Sequence, residues 1–112
     1  MESSIAAATP VVVLTTLPLG IDATALARVL VAERLAACVS LLSPMQSIYR
    51  WQEEIEDTKE RQVVIKTVME RVPALEARVC ALHPYDVPEF LVLPVVDGGA
   101  RYLTWIRDST TV

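Results

Sequence analysis

The chain has 112 residues, enough for one hydrophobic core and too few for two. It is 53% hydrophobic but only 5% aromatic, so Val, Leu, Ile and Ala supply the core, and such a composition excludes disorder for most of its length. A net charge of -4, with ten scattered Lys and Arg residues, gives a phosphate backbone no attraction and argues against nucleic acid as a partner.

Residues 1–8 are small and weakly patterned, and are expected to form a flexible N-terminus before a single domain over 9–112. The apolar stretch Ile5 to Ile21 is broken by Pro10 and Pro18 and preceded by Glu2, so it reads as no export signal. Glu33 and Arg34 divide the longest apolar candidate well short of the roughly 18 residues a spanning helix needs, so no membrane is expected. Cys38 and Cys80 are expected as free thiols in a cytoplasmic protein.

Order is expected from Pro10. Val11 to Thr16 is apolar and β-branched at both parities, the pattern of a strand covered on two sides. Asp22 can cap a helix over about 22–35, in which Leu26, Val29, Leu30 and Glu33 follow at helical spacing. From Cys38 the chain alternates as a strand to Trp51, with Pro44 demanding a bulge or bend. The acidic stretch Gln52 to Asp57 cannot enter a core, so it is expected to turn a hairpin whose second strand is Arg61 to Val68, although it has no Gly or Asn for a tight turn. Pro73 starts a second helix with Leu75, Val79 and Leu82 on one side, and Pro84 closes it. Phe90 to Val96 is the last strand, and Tyr102, Leu103 and Ile106 suggest a short C-terminal helix.

The order β-α-β-β-α-β with a central hairpin predicts an α+β fold, a ferredoxin-like plait with an antiparallel sheet and helices on one face. Two helices shield only that face. Several strands are apolar at both parities, so the second face is expected to be buried by copies of the same chain in a symmetric ring.

Several strings resemble the CutA family, known for tolerance of divalent cations. They are Glu33-Arg34-Leu35-Ala36-Ala37-Cys38-Val39, Ser47-Ile48-Tyr49-Arg50-Trp51, Val64-Ile65-Lys66-Thr67, His83-Pro84-Tyr85-Asp86-Val87-Pro88-Glu89, Leu93-Pro94-Val95 and Tyr102-Leu103-Thr104-Trp105-Ile106. The resemblance spans about residues 10–107. It implies a compact homotrimer similar to the PII signalling proteins, in the cytoplasm, associated with copper and other divalent metals. The chain departs from copper-binding members at Thr15, where they carry cysteine, and at Leu82, where they carry a second histidine.

Two candidate sites follow. A divalent metal, copper above all, wants thiolate and imidazole, which points to His83 and Cys80 at i, i+3 with Glu89 in the following loop; a closed site would need a symmetry mate's ligands. The competing reading makes Cys80 a core residue and His83 a hydrogen bonder at the helix end, and Cys38 reads more readily as a buried hydrophobe than as a ligand. The second candidate is a pocket at a subunit boundary, where Tyr49, Trp51, Lys66, His83, Tyr85 and Glu89 could hold a small anion, Lys66 supplying charge. In the alternative, Trp51 and Tyr85 anchor an interface and Lys66 pairs with Glu89. No activated nucleophile or glycine-rich phosphate loop can be read, so neither an enzyme nor an organic cofactor is expected. Function is expected to be metal tolerance, or a PII-like signalling module that binds a small effector.

Overall fold

The computed structural model describes residues 5–112. Its elements are β1 (Pro10–Pro18), α1 (Ala23–Ala32), β2 (Cys38–Trp51), β3 (Glu54–Val68), α2 (Val72–Leu82), β4 (Leu91–Pro94) and α3 (Ala100–Ser109), with a 3-10 turn at Met69–Arg71 before α2. The sheet runs β2-β3-β1-β4, and every neighbouring pair is antiparallel. This is the expected α+β plait.

Alternation along β1 and β3 sends Val11, Val13, Leu17, Val63 and Ile65 to one face, where Leu26 and Leu30 of α1 and Leu75 and Val79 of α2 bury them. Leu30 and Leu75 are fully enclosed, so truncating either to Ala would cost about 2–5 kcal/mol. The opposite face is covered only at one end. There Ile106 and Leu103 of α3 pack on Val68 and Ala37, and Lys66, also on that face, reaches Tyr102. Val12, Leu14 and Val64 remain half-buried, and Leu91 and Leu93 exposed.

Helix α1 starts where Asp22 Oδ1 accepts from the Ala25 amide, as its sequence position predicts. It ends three residues earlier than expected, because Arg34 takes a left-handed conformation (φ 58°). The Leu35 amide then bonds the Leu30 carbonyl and the Arg34 amide the Val31 carbonyl, a Schellman closure that brings two core leucines together.

Two other boundaries also shift. The hairpin turns at Gln52–Glu53 (φ 50° and 69°), and the acidic run beyond them is strand. Strands β2 and β3 extend past the core into water, so charged residues satisfy them there. The last strand spans four residues instead of Phe90–Val96. Of the expected flexible terminus, residues 1–4 lie outside the described residues; the Ala7 carbonyl accepts from the Glu70 amide and that of Ala8 from Arg107 Nε.

Candidate functional site

The bulge foreseen at Pro44 builds one wall of a groove. Leu41 pairs with Val63, but Pro44 pairs with Arg61, so one extra residue enters β2. The strand's parity therefore inverts. Val39 and Leu41 pack on the core under the helices, whereas Met45, Ser47, Tyr49 and Trp51 face the other side, with Glu60 of β3.

Across the sheet stand Gln62, Thr16 of β1 and the loop after α2, with Pro84, Tyr85, Asp86, Val87 and Glu89. Together these enclose an open groove of about 640 Å³. Gln62 organises its floor, as its amide nitrogen donates to the Thr15 carbonyl and to Glu89 Oε2, both at 2.7 Å. Tyr49 and Thr58 share a hydroxyl hydrogen bond of 3.0 Å along the hairpin.

His83 secures the loop to β1. Its Nε2 lies 2.6 Å from the Thr16 carbonyl, and its Nδ1 accepts the Tyr85 amide at 3.1 Å. An amide only donates and a carbonyl only accepts, so the ring is neutral with its proton on Nε2. The Tyr85 ring packs against it at 4.7 Å, and the Tyr85 hydroxyl points to Glu60 Oε2 at 3.5 Å. Burial, and then the charge of Glu60, raises the Tyr85 pKa, so it stays a neutral phenol there.

The structure separates the residues that the sequence grouped. Tyr49, Trp51, Tyr85 and Glu89 line the groove, with His83 behind its loop. Lys66 does not: its Nζ donates to the Tyr102 hydroxyl at 3.2 Å and lies 5.5 Å from that ring's centre. That hydrogen bond, opposed by burial, raises the Lys66 pKa. Lys66 shares the groove's sheet face but stands four residues, roughly 13 Å, along β3 from Gln62. The Lys66–Glu89 pair is therefore replaced by Gln62–Glu89.

Cys38 pairs across β3 with Lys66, outside the groove, and its Sγ lies 3.8 Å from Ser40 Oγ. Cys80 is exposed on α2 rather than in the core. Both cysteines are free thiols. Thr15 is fully buried with an unpartnered hydroxyl, and Leu82 is exposed. Among the described residues no three His, Cys, Asp or Glu side chains are grouped to hold a metal.

Sequence reading missed Met45, Ser47, Glu60, Gln62 and Thr16. The signal was the period-two series Met45, Ser47, Tyr49, Trp51, which acquires a face only once the bulge is placed. Glu60, at 7% exposure, was hidden as one more charge in a charged strand.

The profile of the family described as CutA1 divalent ion tolerance protein matches residues 11–109. The divalent-cation tolerance protein CutA of Thermus thermophilus is 46% identical over 99 residues, 88% of this chain and 96% of that protein. Protein CutA of Homo sapiens is 46% identical over 85 residues, 76% of this chain, which spans 48% of that longer protein. The crystal structure of CutA from Xylella fastidiosa superposes with a TM-score of 0.87 at 45% identity, covering 92% of this chain and 99% of that one. With the profile spanning nearly all of the sheet and its three helices, the chain belongs to the CutA1 divalent ion tolerance family.

Proposed function

We propose that this chain acts as a self-assembled, non-enzymatic divalent-cation tolerance protein, a cytoplasmic homotrimer whose groove lies at a subunit boundary. The observation that carries this reading is the uncovered sheet face. Leu91 and Leu93 stand 53% and 48% exposed beside the half-buried Val12, Leu14 and Val64, and among the described residues β4 has one edge unpaired. Covering such side chains is worth roughly 1.5–3 kcal/mol each, and a second copy supplies a surface of matching character. Light scattering at dilute concentration should return the mass of three chains. A mass of 12.3 kDa for folded protein ends the proposal.

The absence of catalysis is supported by the state of the single histidine. Both of its nitrogens are committed to backbone groups, which leaves it no lone pair to serve as a base. A cytoplasmic location accords with two unpaired thiols, one of them exposed.

The metal contact stays a proposal of narrower form. For His83 to bind a divalent ion such as copper with Cys80 or Glu89, its ring must leave Thr16 or Tyr85, and a neighbouring copy must complete the ligands. Within one chain the described residues do not fit a closed site. Calorimetric titration of Cu(II) into parent and His83→Ala protein tests the assignment: equal binding removes His83.

A second reading, a PII-like module for a small effector, is favoured by the groove itself. Its volume is that of a small-molecule site, and its walls combine aromatic and polar groups.

A further inference from the structure

The groove's chemistry narrows what could occupy it. Three carboxylates line it, Glu60, Asp86 and Glu89, together with the rings of Tyr49, Trp51 and Tyr85 and the thioether of Met45. Among the described residues of this chain, no Lys, Arg or His side chain lines it. Lys59 and Arg61 flank Glu60 in sequence, but strand alternation sends them to the opposite face, and Lys66 is held by Tyr102. The small anion read from the sequence would thus meet like charge.

Glu60 supplies an independent reason to look for a ligand. It is 93% buried by its 7% exposure, yet no basic side chain pairs with it among the described residues. Its Oε2 accepts a long hydrogen bond of 3.5 Å from the Tyr85 hydroxyl, and no other side-chain partner of the carboxylate is found among the described residues. With no cation paired to it among the described residues, this carboxylate is placed to act as counter-ion to a positive ligand in the groove. Glu89 is similarly half-used, since Gln62 takes Oε2 and no side-chain partner of Oε1 is found among the described residues.

A bare divalent ion is a poor match, because it asks for several converging oxygens and no such group of three is present among the described residues. An organic cation fits better on two counts. Aromatic faces attract ammonium and guanidinium groups at distances up to about 6 Å, and they shelter the apolar body that a metal lacks. The carboxylates then supply the countercharge.

We propose that the groove between the β2–β3 hairpin and the loop after α2 binds an organic cation, an alkylammonium or guanidinium on an apolar body, with Glu60 as buried counter-ion and Trp51, Tyr49 and Tyr85 as its aromatic walls. This rests on the small-effector reading above and specifies its ligand class. Gln62 and His83 act as positioning residues: one orients Glu89, the other fixes the loop that carries Tyr85.

Calorimetry on the full-length assembled protein at low ionic strength tests it, with 1,4-diaminobutane and tetraethylammonium as cationic probes and inorganic phosphate as the anionic one. At least one cation should bind saturably, phosphate should not, and Glu60→Gln should weaken the cation by about tenfold or more. Trp51→Ala should weaken it as well. Glu76→Gln, which removes the same charge from the exposed face of α2, should bind like the parent. Equal weakening by Glu76→Gln would show mere net-charge attraction and overturn the site. If phosphate binds and the cations do not, the ligand class is wrong while the effector reading survives. If no probe binds, and Trp51→Ala instead lowers the assembled mass, the groove is a subunit contact and both readings fall.

Discussion

His83, Tyr85 and Glu60 form one chain of dependence. The imidazole anchors the loop to β1, the loop presents Tyr85, and Tyr85 reaches a carboxylate with which no basic side chain pairs among the described residues. Burial and the nearby Glu60 charge raise the Tyr85 pKa above 10.0. The folded protein therefore holds this proton more tightly than the unfolded chain does. The resulting stability is complete below pH 10.0 and is lost as pH rises through the folded-state value. In urea titrations, Tyr85→Phe should make the decline in stability above pH 10.0 shallower than in the parent. Lys66, raised in the same direction by Tyr102, leaves a residual slope, so only an unchanged slope refutes the Tyr85 contribution. These residues were visible in the string from His83 to Glu89, but their partners were not. Gln62 and Thr16 are distant in sequence, and only strand register brings them to the loop.

At the scale of elements, one inserted residue decides where half of β2 points. Without the bulge between Leu41 and Pro44, Tyr49 and Trp51 would share a face with Leu41, and the groove would lose a wall. Proline made the irregularity legible, because it cannot donate to a ladder, but not its consequence for facing. The hairpin tip was read less well. Gln52 and Glu53 both adopt left-handed backbone, the geometry of a type I′ turn, which favours Asn-Gly. Each side chain there carries a steric cost that glycine would relieve. Glu53→Gly should accordingly raise stability by about 0.5–1 kcal/mol in chemical denaturation, with the assembled mass unchanged. A loss of stability would show that Glu53 makes contacts across copies.

For the whole molecule, the decisive feature is a sheet shielded by α1 and α2 on one side and only in part by α3 on the other. Leu93 lies on the open side, opposite Val12 on β1. Leu93→Asp should therefore reduce the light-scattering mass toward that of one chain, while far-ultraviolet circular dichroism keeps its native shape. An unaltered mass would place the contact between copies elsewhere. The sequence by itself determined the order of elements, the core of Val and Leu that joins sheet to helices, and the surplus of apolar strand, because periodicity and burial are local properties of the chain. Tertiary structure alone decided which candidates meet: it drew Glu60, Tyr85 and Trp51 to one groove and sent Lys66 to Tyr102. The reason is that facing depends on register and parity, and a single extra residue in β2 changes both for every side chain that follows it.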